Sequence, residues 1–205
     1  MNIAIVDYGL GNLRSVYGAV AKLGHRAFIT NDISKLEEAD KLILPGVGAF
    51  GDGMNNLINL GLVESLTRLV LDEKKPILAI CLGFQLLANK SLEFGQHKGL
   101  GWIDAVVRKI DTQKTHLRVP HVGWNDLFVY RDCVLWERIP KEALFYYVHS
   151  FYVDCKSDEI VVGECNYGIK FTSAVKQGNI YGTQFHPEKS QYHGLEVLKN
   201  FIEKA

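Results

Sequence analysis

The chain lacks any apolar run near the roughly 20 residues of a membrane-spanning helix, so no span is expected. It also lacks an excess of charge. Lys plus Arg and Asp plus Glu both number 23, and no bulk field would draw in nucleic acid or an anionic surface. Its four cysteines, Cys81, Cys133, Cys155 and Cys165, form no C-x-x-C pair and no metal-like spacing with histidine. Free thiols in a reducing cytoplasm are the expectation, with no metal. A strand-like pattern begins at Asn2, so no signal-peptide architecture is expected. No linker, repeat or low-complexity segment divides the 205 residues, which predicts one domain over 1–205, long enough to bury a full core.

Two nucleotide-binding motifs are approached and missed. Gly9 and Gly11 match the first two glycines of G-x-G-x-x-G, and Asp32 follows about 20 residues on. Arg14 occupies the third position, where helix and strand must pack closely, so a tight turn feeding a helix is the better reading. The run Pro45-Gly-Val-Gly-Ala-Phe-Gly-Asp-Gly53 lacks the Gly-Lys-Ser/Thr ending of a P-loop. A glycine-rich loop of this kind either turns a corner or presents bare N–H groups to an oxyanion.

What is present is an alternating pattern. Asn2–Asp7, Ala27–Thr30, Lys41–Leu44 and Ile77–Ile80 read as strands. Between them lie a helix with Leu13, Val16, Tyr17, Val20 and Leu23 on one face, stopped by Gly24, a short helix near Ser34–Ala39, and one longer helix from Met54 to Val70. This predicts an α/β fold with a mostly parallel sheet and helices on both faces. After Lys90 the pattern turns to strands, at Trp102–Ile110, Asp126–Tyr130, Ala143–Val153, Ile160–Cys165, Thr172–Lys176 and Ile180–Gln184, with a hairpin turn at Gln177-Gly-Asn179 and a closing helix.

Cys81 follows the buried strand directly, and Leu82-Gly-Phe-Gln-Leu86 continues with helical spacing. A cysteine at such a turn has the geometry of a nucleophile elbow, at a helix N-terminus that favours a thiolate. Taken alone it is more often a small buried hydrophobe. A thiol nucleophile needs a basic partner with an orienting carboxylate. Among seven histidines, His186 stands out in Gly182-Thr-Gln-Phe-His-Pro-Glu-Lys-Ser190, just past a strand end, where open α/β sheets hold their sites. Pro187 holds the connection extended or turned, so Glu188 can reach the far ring nitrogen and fix its tautomer.

With those residues in hand, the chain resembles the class I (triad) glutamine amidotransferases, of flavodoxin-like fold. It is most similar to the glutaminase subunits of imidazole glycerol phosphate synthase, from histidine biosynthesis. The likeness runs through Asp7–Asn12, Pro45–Phe50, Cys81–Gln85, Lys98–Gly101, Pro120–Asn125, Tyr147–Ser150 and His186–Ser190. It implies that Cys81 attacks the side-chain amide of L-glutamine, His186 protonates the departing ammonia, and Glu188 orients His186. It also implies an oxyanion hole from Gly46, Val47, Gly48 and Leu82, in which a peptide near Val47 must reorient. Gly46 and Gly48 on either side make such a flip sterically cheap. Gln85, Glu93, His149 and Ser150 align with substrate-holding positions. Gly9, Gly11, Asn12, Pro120, His121, Trp124, Asn125, Tyr146 and Lys189 match a face that docks a (β/α)8 cyclase subunit in a heterodimer. No cofactor, nucleic acid or membrane is implied.

Two residues depart from the family pattern. Ala79 stands where the elbow usually has glycine, and Phe84 replaces a more usual methionine. Three other readings stay open at this level. They are a paralogous amidotransferase subunit serving another pathway such as surface-sugar synthesis, a stand-alone cysteine hydrolase, and a scaffold with an inert thiol.

Overall fold

The computed structural model describes residues 1–112 and 117–205. The first half alternates strand and helix: β1 (Asn2–Val6), α1 (Leu13–Lys22), β2 (Arg26–Thr30), α2 (Ile33–Glu38), β3 (Lys41–Gly46), α3 (Phe50–Asn59), α4 (Leu62–Thr67), β4 (Ile77–Cys81) and α5 (Leu82–Leu86). The second half is strand-rich, with β5 (Ala88–Ser91), β6 (His97–Lys98), β7 (Ile103–Lys109), β8 (His121–Asp126) and β9 (Phe128–Val129). It continues through β10 (Leu144–His149), β11 (Phe151–Cys155), β12 (Val161–Tyr167), β13 (Ile169–Gln177) and β14 (Ile180–Thr183), and ends in α6 (Gln191–Lys204).

Five strands run parallel in the order β2-β1-β3-β4-β14. The hairpin partner β13 then extends the sheet antiparallel, followed by β11, β7, β5 and β6. Strands β8 and β10 form a separate antiparallel ribbon. Neighbours along a strand point to opposite faces, so continuous apolar runs are what a sheet covered on both sides requires. Ile3, Ile5, Ile43, Leu78 and Ile80 pack with Val16 and Val20 of α1 and Leu198 and Phe201 of α6. Ala4, Val6, Leu42, Leu44, Ile77 and Ala79 pack on the other face with Leu36, Leu57, Leu66 and Phe84. The expected architecture, helices on both faces of a mostly parallel sheet, is the one observed.

Several boundaries differ from the sequence expectation. The helix expected over Met54–Val70 breaks in two at Gly61, which has φ +67°. Tyr17 is exposed and Ala19 takes its place in the core. Asp32 caps α2 by accepting from the Ser34 amide (3.0 Å), an ordinary helix-start role. The single strand expected over Ala143–Val153 splits at Ser150, and its halves join different sheets. Its buried positions keep one phase across the split, Tyr147 and His149 before it and Val153 after it, so periodicity carries no signal of the break. Strand β8 begins at His121, ahead of the expected Asp126, because Gly123 (φ +141°) interrupts the apolar alternation that marks a strand.

The arrangement sets the C-terminal ends of β3, β4 and β14 side by side, and the segments that follow each end converge there. Strand β14 lies close against α5. Ala79 pairs with Gly182, and a Cβ on Gly182 would lie 2.3 Å from the Phe84 ring. Gly182→Ala is therefore expected to destabilise the fold by about 2–3 kcal/mol. Phe84→Leu in the same chain should recover part of that loss. Urea denaturation of the two single variants, the double variant and the parent measures the coupling, and strictly additive losses would contradict the contact.

Candidate active site

Strand β4 ends on Cys81, whose φ of +55° and ψ of −109° turn the chain sharply before α5 begins. A non-glycine residue there is strained and is held only by its surroundings. Those surroundings are tight. A Cβ on Gly83 would lie 1.9 Å from the Leu44 carbonyl oxygen. Gly46 sits opposite Cys81 on β3, and a Cβ there would lie 2.1 Å from the Tyr8 hydroxyl and 2.8 Å from the Gly83 nitrogen. The elbow forms with Ala79, itself fully buried, in place of the usual glycine. Because α5 spans five residues, the help expected from a helix dipole is small, and a charged side chain must supply most of it.

That side chain is His186. Its backbone is clamped to β10: the His186 amide donates to the Tyr146 carbonyl (2.9 Å), the Ser190 hydroxyl donates to the His186 carbonyl (2.7 Å), and the Tyr146 amide donates to that hydroxyl (2.9 Å). The ring Nδ1 lies 2.8 Å from Glu188 Oε1, with both side chains buried. A carboxylate can only accept, so Nδ1 carries a proton and Nε2 is the working nitrogen. Among the described residues no partner meets ordinary hydrogen-bond geometry at the buried Nε2, which the nearby Cys81 sulfur nonetheless influences. Burial pulls the His186 pKa down, but the nearby Cys81 sulfur and the Glu188 carboxylate outweigh it and leave it raised. Nε2 is thus the nitrogen placed to exchange a proton beside the Cys81 sulfur.

A cavity of about 430 Å³ opens above the elbow, lined by Val47, Gly48, Cys81, Leu82, Gln85, Glu93, His149 and Ser150. Asn12, Pro120 and Lys189, expected at a partner face, line the same cavity. Glu93 Oε2 accepts from the Phe50 amide at the start of α3 (2.7 Å), and burial raises its pKa. Both amide hydrogens of Gln85 are spent inside the protein, on the Phe151 carbonyl (2.8 Å) and Gln184 Oε1 (3.2 Å). Among the described residues no group of three or more His, Cys, Asp and Glu side chains could hold a metal, and no helix is long and apolar enough to cross a membrane.

The family model of class-I glutamine amidotransferases matches residues 4–205. The chain belongs to that family. It is 48% identical over 200 residues to imidazole glycerol phosphate synthase subunit HisH 1 of Campylobacter jejuni strain RM1221, covering 98% of both chains. It is 49% identical to subunit HisH of Sulfurimonas denitrificans, covering 97% of this chain and 96% of that one. Among solved structures, PurLQS from Thermotoga maritima superposes with a TM-score of 0.75 at 21% identity, covering 98% of this chain and 97% of that one, a likeness of fold.

In this amidotransferase the remaining site residues fall into two groups. Trp124 is 44% exposed and meets Tyr146 edge-on at 6.0 Å, while Lys189 Nζ lies 5.8 Å from the Tyr146 ring centroid. Gly11 and Asn125 are half-buried and Pro120 is exposed. His121 departs from the expectation of a partner-facing side chain. It is 2% exposed, because a β-strand turns alternate residues inward and its ring lies between Tyr147 and Tyr167. Its Nδ1 is 3.1 Å from His149 Nε2, and burial pushes the two rings down to about 4 and about 3, so both are neutral at pH 7.

Sequence reasoning passed over Gln184, whose Nε2 donates to Cys81 Sγ at 3.6 Å, and Tyr8, whose buried hydroxyl has no partner beside Gly46. Gln184 stands inside the His186 motif and could have been found there. Tyr8 likewise stands inside the Asp7–Asn12 motif. Gly46 and Gly48, expected together to make a flip cheap, differ in their surroundings: Gly46 is buried where a Cβ would clash, while Gly48 is exposed with φ +112°.

Replacing Glu188 by Gln should lower the His186 pKa, since a neutral amide cannot hold the imidazolium. Turnover of the activated enzyme should fall about 10²–10⁴-fold. NMR titration of the His186 ring and steady-state kinetics check the two effects; an unmoved titration would contradict the geometry.

Proposed function

We propose that the chain is the glutaminase subunit of an imidazole glycerol phosphate synthase, one amidotransferase domain over 1–205. It hydrolyses L-glutamine to glutamate and ammonia and passes the ammonia to a (β/α)8 cyclase subunit. The single observation that carries this is the buried Cys81–His186–Glu188 set opening onto a cavity with an acid at its wall, in a chain nearly half identical to HisH subunits along its whole length. A soluble biosynthetic pair of this kind would work in the cytoplasm.

In the reaction, Cys81 Sγ attacks the side-chain amide carbon and the carbonyl π electrons move to oxygen. The Leu82 N–H and a peptide N–H of the Val47–Gly48 segment hold that oxyanion. His186 Nε2 protonates the amide nitrogen, the C–N bond breaks, and ammonia leaves. Water, deprotonated by the now neutral His186, attacks the thioester and returns Cys81 with glutamate. The Glu93 carboxylate takes the substrate's α-ammonium, and the Gln85 Oε1 together with the His149–Ser150 backbone holds the amino-acid end. Asn12, Pro120, Trp124, Asn125, Tyr146 and Lys189 form the partner face, where exposed aromatic rings suit an interface core.

Several relatives carry a number in their names, such as HisH 1 and HisH 2. That numbering keeps in view a second reading, a paralogous subunit feeding another acceptor. Restoration of histidine prototrophy with a cognate cyclase supports the first reading, and failure with a soluble, assembled complex supports the second.

Two outcomes follow for the purified complex. Glutamine hydrolysis should be low for the chain alone and rise at least tenfold when cyclase and acceptor nucleotide are added. Equal turnover in both conditions would rule out gating by the partner. Glu93→Gln should raise the KM for glutamine about 10–100-fold, the worth of a hydrogen bond to a charged group. The parent's affinity should weaken as pH falls through the raised Glu93 pKa, because only the ionised form pairs with the ammonium. That acid limb of the KM profile should vanish in the variant.

A further inference from the structure

We propose that His121 is a positioning residue for the glutamine site: its ring fixes the tautomer of His149 and thereby the Phe151 carbonyl, from which Gln85 and Gln184 take their orientation toward Cys81. The inference rests on reading the cavity as that site.

The donors and acceptors admit one assignment. The Phe151 carbonyl can only accept, so His149 Nδ1, 2.9 Å away, carries a proton. Neutral His149 then has a bare Nε2, which needs a donor, and His121 Nδ1 at 3.1 Å supplies it. His121 is left with Nε2 as an acceptor, met by the Asn125 amide at 3.3 Å. Asn125 is held in that sense because its Nδ2 also donates to the Asn166 carbonyl (3.1 Å) and its Oδ1 accepts from the Asp126 amide (2.9 Å). On the other side of the Phe151 carbonyl, Gln85 must present its NH₂, and its second hydrogen obliges Gln184 to present oxygen. The Gln184 NH₂ is then turned to the sulfur.

Stacking alone does not explain a histidine at 121. The ring lies 3.9 Å from Tyr167 and 4.9 Å from Tyr147, centroid to centroid, near-parallel to both, and phenylalanine would fill the same slot. What phenylalanine cannot do is donate to His149.

The two roles separate in two variants. His121→Phe keeps the stack and removes the donor; His121→Asn keeps a donor near the Nδ1 position and removes the stack. For the complex with its cyclase, His121→Phe should raise the glutamine KM about tenfold with kcat changed less than about twofold, the size expected for one lost hydrogen bond. His121→Asn should keep KM within about twofold of the parent while melting at a lower temperature. Long-range nitrogen–proton NMR should place the His149 proton on Nδ1 in the parent and the Asn variant, and partly on Nε2 in the Phe variant.

A Phe variant with parental KM and an unmoved His149 tautomer overturns the proposal, as does an Asn variant with the larger KM defect. Should the Phe variant fail to fold, the parent still decides: a His149 proton on Nε2 overturns the assignment. If the parent complex does not hydrolyse glutamine, the functional reading fails, and the ring tautomers still report on His121.

Discussion

The whole site depends on how closely three backbone segments approach one another at the end of β4. Gly46, Gly83 and Gly182 each occupy a place where a single methyl group would strike a neighbour, and together they surround the strained turn at Cys81. A positive φ at a cysteine costs on the order of 1–3 kcal/mol and survives only where packing leaves no alternative. Here β3 and β14 flank the turn, and α5 starts against the Leu44 carbonyl. The nucleophile is aimed because the sheet cannot relax around it. Phe84 belongs to the same constraint, since its ring lies where Gly182 has no side chain.

Around this steric frame runs a polar one. Buried donors and acceptors are costly when unpaired, so a network anchored on backbone carbonyls has a single low-energy sense. The Phe151 carbonyl is the anchor that matters most, because it receives His149 from one side and Gln85 from the other. It lies just past the point where the β10–β11 run changes sheets, at Ser150. That change of sheet brings His149 and Phe151 to the wall of the cavity, and β8, carrying Trp124 and Asn125, pairs along β10. His186 is tied to the same strand through Tyr146 and Ser190. One ribbon thus supports the proposed base, the cavity wall and the proposed docking face.

The parallel half of the fold was legible because β1, β3 and β4 are buried on both faces and α1 and α3 are amphipathic, which are local properties of composition. Cys81, His186 and Glu188 could be picked out because a thiol after a buried strand and a His-Pro-Glu turn have few structural uses together. The β10–β11 switch was not legible, since the buried positions keep one phase across Ser150 and only pairing partners change. His121 was misread for a related reason. Its motif neighbours Trp124 and Asn125 do reach the surface, but a strand sends residues to both sides, and no sequence feature says which side is solvent. Gly46 and Gly48 look alike in sequence and differ only in what surrounds them.

On the proposed function, that last difference bears on where the reaction could be controlled. Cys81, His186, Glu188 and Gln184 are held by contacts that leave almost no freedom, so gating by moving any of them would break the core. Gly46 is equally fixed. The peptides on either side of Val47 are the first along β3 that escape this grip, and Gly48 can adopt backbone angles closed to other residues. They share the cavity wall with Asn12, Pro120 and Lys189, which lie on the proposed partner face. A subunit docked there, as proposed, would press on the cavity rim beside Val47 and Gly48 rather than on Cys81 and His186. Close packing at the elbow and open space at Gly48 would then fit a thiol held in place while the proposed oxyanion groups respond to the partner.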